Sequence, residues 1–115
     1  MSEDCLFCRI VAGSIPADRV HEDELIVAFR DIAPRAPTHI LLVPRRHIAS
    51  AAELTEADGP MLGRLFAVAA DLARSGGIAE GGYRLVSNVG RWGGQTVDHL
   101  HLHLMGGRAF GWPPG

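Results

Sequence analysis

Three histidines alternate with three leucines near the C-terminus, at positions 99–104. Strict alternation is the period of a β-strand, in which every second side chain points to the same face. The pattern therefore predicts a strand over 99–104, with His99, His101 and His103 on one face and the leucines directed into the core. A row of imidazoles can bind a metal ion, hold an anion, attack phosphorus or pass a proton to a leaving group. Such chemistry is favoured here over a bland polar face.

A glycine-rich loop over 90–96 leads directly into this strand. Its glycines let backbone N–H groups approach a phosphate closely, and the Thr96 hydroxyl adds one donor. The chief rival to phosphoryl transfer is a zinc ion shared by the three histidines. Three same-face positions of one strand span roughly 13–14 Å, whereas zinc binds nitrogen at about 2.0–2.1 Å. The row therefore fits phosphoryl transfer better than a single shared metal.

Length, charge and cysteine content exclude several classes of protein. The 115 residues predict a single domain over 1–115, and 47% hydrophobic residues are enough for a core. A net charge of −2 provides no basic field for a nucleic-acid polymer, although one nucleotide needs only a local anion site. No secretory signal and no apolar run of membrane-spanning length is visible, so no membrane partner is expected. With only two cysteines, we expect a reduced, cytoplasmic protein.

The elements that must position these residues form an α+β pattern. A short helix over 5–12 ends at Gly13, and one long helix runs over 54–73. Asp58 is the expected N-cap of the long helix, because Pro60 fits a first turn but not a helix interior. The predicted strands are 19–21, 25–31, 38–44, 83–88 and 99–104. One long helix among strands indicates an antiparallel sheet, whose third strand, an almost continuous apolar run, should be central and covered on both faces.

Cys5 and Cys8 lie three residues apart and share one face of the short helix. They are either two small buried thiols or half of a tetrahedral zinc site, and both interpretations stay open at this point. A redox pair would need a thioredoxin-like context that the chain lacks. A zinc site would also need two histidines from elsewhere in the chain.

Five motifs follow one another along the chain. They are Asp31-Ile32-x-Pro34-x-Ala36-Pro37-Thr38-His39, Val43-Pro44-x-x-His47-Ile48, Asn88-x-Gly90-x-x-Gly93-Gly94-Gln95, His99-Leu100-His101-Leu102-His103-Leu104-Met105 and Trp112-Pro113-Pro114-Gly115. In this order and over nearly the whole chain, they resemble the Hint branch of the histidine triad superfamily. The histidine motif alone is moderately specific, and its four companions make the resemblance strong.

The resemblance implies a HIT-like α+β fold, with one long and one short helix on a five-stranded antiparallel sheet. It implies a homodimer in which two such sheets join into one of ten strands. The implied activity is hydrolysis of the P–N bond of purine nucleoside 5′-phosphoramidates, such as adenylated amines, to a nucleotide of the AMP or GMP type, without an organic cofactor. A dinucleoside polyphosphate hydrolase, as in the sister Fhit branch, and a non-catalytic nucleotide-binding scaffold are the alternatives. The Trp-Pro-Pro-Gly ending favours Hint.

Transferred position by position, the resemblance makes His101 the nucleophile that forms a nucleotidyl-histidine intermediate, which water then cleaves. Thr96 or His103 is expected to deliver the proton to the leaving group, and His39 is expected beside the histidine row. The residues expected around the α-phosphate are Asn88, Gly94, Gln95, Thr96, His99 and His103. Trp92 departs from the small or polar residues usual in the glycine loop, which leaves the leaving-group preference open.

Asp31 is expected to accept hydrogen bonds from the ribose hydroxyls, although an aspartate before Pro34 can also simply cap a turn. The residues expected to form an apolar slot for the base are Phe7, Ile10, Phe29 and Ile32. Taken singly, such apolar residues are more often part of a core. His39 could equally be a core histidine whose hydrogen bonds are satisfied.

The resemblance also supplies the missing zinc ligands, since relatives with Cys-x-x-Cys near the N-terminus resemble zinc binders. The implied ligands are Cys5, Cys8, His47 and His99. Two sulfur and two nitrogen ligands make a closed tetrahedral site, which is structural and does not activate water. This set requires His99 to turn toward the metal while His101 faces the phosphate.

Overall fold

A five-stranded antiparallel sheet forms the centre of the computed structural model, which describes residues 4–115. Its order is β1-β2-β3-β5-β4, and every neighbouring pair is antiparallel. The elements are β1 (Arg19–Glu22), β2 (Ile26–Arg30), β3 (Thr38–Pro44), β4 (Tyr83–Val86), β5 (Leu102–Gly106), α1 (Leu6–Ala12), α2 (Gly59–Ser75) and two 3-10 turns at Ala51–Glu53 and Glu56–Asp58. The predicted α+β class and antiparallel sheet are confirmed. Neither helix found in 4–115 combines the length and the hydropathy that a membrane crossing requires.

Strand β3 lies in the middle of the sheet and is buried from its second residue onward. Its alternate residues enter two separate cores. Ile40 and Leu42 pack with the buried face of α2, whereas Leu41 and Val43 pack with α1. The apolar run is therefore covered on both faces, as predicted. His103 pairs with Leu41 in the β3–β5 register, so it faces α1.

Helix α1 is short, and both of its ends are defined by side chains or special backbone conformations. The Cys5 sulfur caps the first turn by accepting a hydrogen bond from the Cys8 N–H at 3.3 Å. Gly13 ends the helix, as predicted, with a φ of 82°, and its N–H donates to the Ile10 carbonyl oxygen. A helix of this length is unstable alone. The burial of side chains such as Phe7 against the sheet holds it in place.

The predicted start of the long helix at Leu54 is wrong, because α2 begins at Gly59. The Asp58 carboxylate accepts a hydrogen bond from the Thr55 N–H at 2.9 Å, and this segment forms a 3-10 turn instead. Asp58 is the N-cap of α2, as predicted. Pro60 lies in the first helical turn, where its missing N–H costs no hydrogen bond.

The predicted histidine strand is wrong in its first half, because β5 begins at Leu102. The backbone bends before that point, and the Leu100 N–H donates to the carbonyl oxygen of Ile48 at 2.6 Å instead of joining the ladder. All three leucines of the motif are buried, as predicted. Of the three histidines, only His103 belongs to the strand. The other two therefore do not share one regular face with it.

Candidate active site

Two histidine clusters lie side by side on the α1 face of the sheet. In the first, the ring centroids are 5.2 Å apart for His39 and His103 and 5.0 Å apart for His101 and His103. In the second, the rings of His47 and His99 lie 5.0 Å apart, beside the two cysteines. The bend before β5 produces this division, because it directs the first histidine of the motif away from the other two.

The backbone fixes the protonation of His101. Its Nδ1 lies 2.7 Å from the carbonyl oxygen of His99, and a carbonyl can only accept, so Nδ1 carries the proton of the neutral ring. The lone pair is then on Nε2. The ring is buried edge-on against Phe7, with centroids 5.0 Å apart, and it lines a pocket. A neutral imidazole held in this tautomer can act as a nucleophile through Nε2.

A hydrogen-bond chain fixes the proton on His103. The Arg35 N–H donates to Nδ1 of His39 at 3.0 Å, so neutral His39 carries its proton on Nε2. That atom lies 2.9 Å from Nδ1 of His103 and donates to it. Neutral His103 consequently carries its own proton on Nε2 and can donate it to a bound anion.

Burial favours the neutral forms of His39 and His103. It lowers the pKa of His103 from 6.5 to about 4, and the positive charges of protonated His101 and His39 act in the same direction. Burial also lowers the pKa of His39, against the opposing effect of the Asp31 carboxylate. Near neutral pH, His103 is therefore a neutral hydrogen-bond donor, until an adjacent anion raises its pKa.

A pocket of about 280 Å³ extends from the first histidine cluster and is bounded by α1 and β2. Phe7, Ile10 and Phe29 line its apolar end with buried side chains, and the two phenylalanine rings pack edge-to-face at 5.5 Å. Ile32 also borders the pocket but is 100% exposed. The predicted apolar slot is thus present as a cavity, with Ile32 at its mouth rather than inside it.

Several residues that line this pocket were missed by the sequence analysis. Leu41 could have been found, since it lies two residues beyond His39 on β3 and must share its face. The connector between α1 and β1 gave no comparable signal, because nothing local indicates which side of the sheet it crosses. The missed lining residues are Leu6, Ile15, Pro16, Ala17, Arg30, Leu41 and Val97.

The glycine loop is closed by hydrogen bonds from two polar side chains. Oε1 of Gln95 accepts from the Gly90 N–H at 2.9 Å, and Nε2 donates to the carbonyl groups of Ala49 and Val97 at 2.7 and 3.0 Å. Nδ2 of Asn88 donates across the loop to a glycine carbonyl at 2.6 Å. Both side chains therefore shape the loop, and neither lines the pocket beside the histidines.

Three further loop residues differ in what they contribute. Gly94 has a φ of 82°, where a side chain would be strained. Trp92 is 96% exposed and lies outside the pocket lining, so it does not cover the histidines. Thr96 does line the pocket, together with His101 and His103. Its hydroxyl is the loop group best placed for chemistry.

Asp31 uses its two carboxylate oxygens differently. Oδ1 accepts a hydrogen bond from the Ala33 N–H at 2.8 Å and so caps the turn after β2. Oδ2 lies 3.4 Å from Nε2 of His39, and the residue lines the pocket. A turn-capping role and a position at the pocket therefore coexist in one residue.

The four predicted metal ligands converge in the second cluster. The ligand atoms of Cys5, Cys8, His47 and His99 all lie within 4.8 Å of one another. Nδ1 of His99 is 3.3 Å from the Cys5 sulfur, 3.5 Å from the Cys8 sulfur and 3.2 Å from Nδ1 of His47. A tetrahedron with bonds of about 2.0–2.3 Å has edges of roughly 3.3–3.8 Å. These separations therefore fit the ligand shell of one zinc-sized ion.

The His99 ring is oriented for ligation. It is 0% exposed, and its Nε2 donates to the Pro44 carbonyl oxygen at 2.9 Å, which leaves the Nδ1 lone pair facing the sulfurs. Burial lowers the pKa of His99 and raises the pKa of the Cys5 thiol. A thiolate at Cys5 therefore needs a nearby cation. Two sulfur and two imidazole donors form a set that zinc prefers.

A second group of potential ligands does not fit a metal as well. Atoms of Asp31, His39 and His103 also lie within 4.8 Å of one another. However, the Arg35 N–H places the His39 proton on Nε2, the atom that would have to ligate. This group is therefore better described as a hydrogen-bond chain.

Comparison with known proteins places this geometry in a family. The family model of the HIT domain matches residues 12–110. The chain belongs to the HIT family. It is 48% identical to the purine nucleoside phosphoramidase of Escherichia coli strain K12 over 111 residues, which are 96% of this chain and 93% of that protein. An uncharacterised HIT-like protein of Synechococcus elongatus is 51% identical over the full length of both chains.

Solved HIT structures share the fold in detail. A HIT family hydrolase from Legionella pneumophila Philadelphia 1 superposes with a TM-score of 0.96 at 52% identity, over 97% of this chain and all of that one. A HIT family hydrolase from Clostridium thermocellum gives a TM-score of 0.93 at 43% identity, over 96% of each chain. The HIT fold expected from the sequence motifs is confirmed. The family match starts at residue 12, so Cys5 and Cys8 lie outside it.

Proposed function

We propose that the chain is a hydrolase that cleaves the P–N bond of purine nucleoside 5′-phosphoramidates, such as adenylated amines, and releases the nucleoside monophosphate. One observation carries the proposal. The His99 carbonyl holds the Nδ1 proton of His101, which leaves a nucleophilic Nε2 on a ring that lines the pocket. The Escherichia coli relative named purine nucleoside phosphoramidase supports the same substrate class.

The pocket divides the nucleotide among three environments. The purine base occupies the apolar end, against the buried side chains of Phe7, Ile10 and Phe29 that line it. The ribose hydroxyls donate to Asp31, whose Oδ2 is not engaged in the turn. The α-phosphate lies at the histidine end, where the Thr96 hydroxyl and Nε2–H of His103 can donate to its oxygens. Asn88, Gly94 and Gln95 act on the phosphate by holding the loop that presents Thr96.

The reaction proceeds in two displacements. Nε2 of His101 attacks phosphorus as the P–N bond breaks, and the departing nitrogen takes a proton from the Thr96 hydroxyl or from Nε2 of His103. The imidazolium formed on His101 keeps its Nδ1–H bond to the backbone carbonyl. Water then attacks phosphorus, the bond to His101 breaks, and the water proton returns to the group that donated one. AMP or GMP is released, and the ring regains its starting tautomer.

The test is AMP release from adenylated lysine and, separately, from a diadenosine polyphosphate. Rapid turnover of the first substrate that disappears in His101→Ala supports the proposal. His21→Ala is the matched control, because this histidine lies on β1 and bonds to Asp23 outside the pocket. Turnover of only the second substrate would instead indicate a dinucleoside polyphosphate hydrolase. Nucleotide binding without turnover of either would indicate a scaffold.

We also propose that Cys5, Cys8, His47 and His99 hold a structural zinc ion. The distances and the orientation of His99 support this assignment. A closed site of this kind ties α1 to the segments that follow β3 and precede β5, and does not activate water. Metal analysis of protein purified without added metal should give about one zinc per chain. Thiolate ligands persist in a reducing compartment, so we place the protein in the cytoplasm.

The chain is further proposed to form a homodimer. Strand β4 is at the edge of the sheet, and within 4–115 it pairs with β5 alone. Pairing of two β4 edges would join the sheets of two copies into one of ten strands. Sedimentation should then report a mass of about twice 12.3 kDa. A mass of one chain at micromolar concentration would contradict the dimer.

A further inference from the structure

A second cavity, of about 530 Å³, adjoins the nucleotide pocket and has no role in the chemistry described so far. Leu6, Thr96 and Val97 line both cavities. The two cavities therefore share one wall, and Thr96 is the polar residue in it. The remaining residues that line the second cavity are Asp4, Cys5, His47 and Asp98.

We propose that the second cavity receives the substituent of the leaving amine, and that Asp98 makes the enzyme prefer a substituent with a positive charge. This inference rests on the proposed phosphoramidase function and deepens it. It assigns to the reaction a class of leaving group, the alkylamine with a distal ammonium group. Asp98 is in this sense a specificity-determining residue and takes no part in bond cleavage.

The order of groups in the substrate supports this placement. A nucleoside phosphoramidate is linear, and base, ribose, phosphate and amine follow one another. The base lies at the apolar end of the pocket, and phosphorus lies at the histidines. In phosphoryl transfer the attacking and departing groups lie roughly in line. The amine must therefore leave on the side of phosphorus opposite to His101. The second cavity is not lined by His101 or His103. It begins at Thr96, one of the two groups that can protonate the departing nitrogen.

The charges that line the second cavity suit a cation. Asp4 and Asp98 supply two carboxylates, and no arginine lines the cavity. His47 is the one basic side chain there, and it belongs to the metal cluster. Asp98 is exposed, and its carboxylate has no hydrogen bond or ion pair with any residue between positions 4 and 115. A carboxylate in this state can pair with an ammonium group without giving up another partner.

The experiment compares two substrates that differ only in distal charge. Both are adenosine 5′-phosphoramidates, one of 1,5-diaminopentane, which ends in an ammonium group, and one of hexylamine, which ends in a methyl group of similar size. The quantity measured is the ratio of kcat/KM for the charged substrate to that for the neutral one. We expect a ratio of about three to five in dilute buffer, the strength of one exposed ion pair. It should fall toward one in 0.5 M salt.

Two variants with the same change in charge decide the assignment. Asp98→Asn should bring the ratio close to one, whereas Asp71→Asn should leave it unchanged, because Asp71 lies on α2 in an exposed ion pair with Arg74. Zinc content and melting temperature are measured for both variants, since Asp98 precedes a metal ligand. A ratio near one in the unaltered protein, or a ratio that survives Asp98→Asn, would overturn the inference. Absence of turnover with both substrates would overturn the proposed function itself.

Discussion

The His101 ring donates its Nδ1 proton to the backbone carbonyl of His99 at 2.7 Å, while the His99 side chain points the other way, into the cysteine cluster. One residue thus serves two centres, through its peptide group in one and through its ring in the other. This relationship explains how neighbouring histidines of a single motif can have unlike chemistry. It also indicates which substitutions should separate the two centres.

Replacing His101 with alanine should lower kcat at least a thousandfold, because no other ring offers its Nε2 lone pair at the same position. The intermediate can be sought directly by quenching the unaltered enzyme in alkali and locating the nucleotidyl group by mass spectrometry. Nucleotide binding should persist, because the apolar end of the pocket is unchanged. Turnover within tenfold of the unaltered enzyme would contradict the assignment of the nucleophile.

The substitution Cys5→Ser distinguishes the two roles of Cys5, as a proposed metal ligand and as the N-cap of α1. Serine is a good N-cap, so α1 keeps its first hydrogen bond while one metal ligand is lost. We expect zinc content to fall well below one per chain, and the melting temperature to fall by about 5–10 °C, as a loss of one to two kcal/mol produces in a chain of this size. The unaltered protein treated with a chelator is the control and should melt like the variant. Equal zinc content and equal melting would exclude the structural zinc.

The stability of the protein should depend on the Gln95 amide, so that even an isosteric replacement of this side chain lowers it. In Gln95→Glu the hydrogen bond from the Gly90 N–H can persist. The hydrogen bonds donated to the carbonyl groups of Ala49 and Val97 are lost, because a carboxylate cannot donate. The carboxylate then faces two carbonyl oxygens. We expect a loss of about 2–3 kcal/mol in stability and faster amide hydrogen exchange over 90–96. Trp92→Ala is the control, because an exposed side chain contributes within about 0.5 kcal/mol. Unchanged exchange would show that the loop is held by other groups.

Acid should destabilise the protein partly through His103. Its pKa is about 4 in the folded chain and near 6.5 when unfolded. The unfolded state therefore takes up the proton first as pH falls, so stability is unaffected above about pH 6.5 and is lost between there and about pH 4. The ring is only partly buried, so solvent screening limits this loss to about 1–2 kcal/mol. His103→Gln should flatten this part of the stability curve. Unfolding by denaturant is measured in the Cys5→Ser background, so that metal release does not contribute.

Much of the fold could be predicted from local pattern. The predicted bounds of β3 are correct at both ends, because its apolar run is long, Pro37 precedes it and Pro44 is its last residue. The start of α2 was placed too early, because Leu54 continues the apolar stripe although its backbone is extended. Hydrophobic period alone cannot distinguish a residue inside the helix from one in the turn that precedes it.

The different roles of the three histidines in the motif could not be predicted from the period of the sequence pattern. Alternation at 99–104 is typical of a strand. The bend before β5 depends instead on the hydrogen bond from the Leu100 N–H to the Ile48 carbonyl oxygen, a contact between distant parts of the chain. The resemblance to a family added His47 and His99 to the two cysteines that the spacing had indicated, and the structure brings all four together. Leu41 was missed although its position relative to His39 was informative.

The pocket draws its walls from both ends of the chain, with Leu6 and Phe7 on one side and Thr96 to His103 on the other. A polypeptide still emerging from the ribosome therefore has most of its sheet residues but no complete binding cavity. Recognition of a nucleotide becomes possible only after residue 103 has been synthesised. A product that ends before residue 96 would lack both His101 and His99, and with them the proposed nucleophile and one of the proposed zinc ligands.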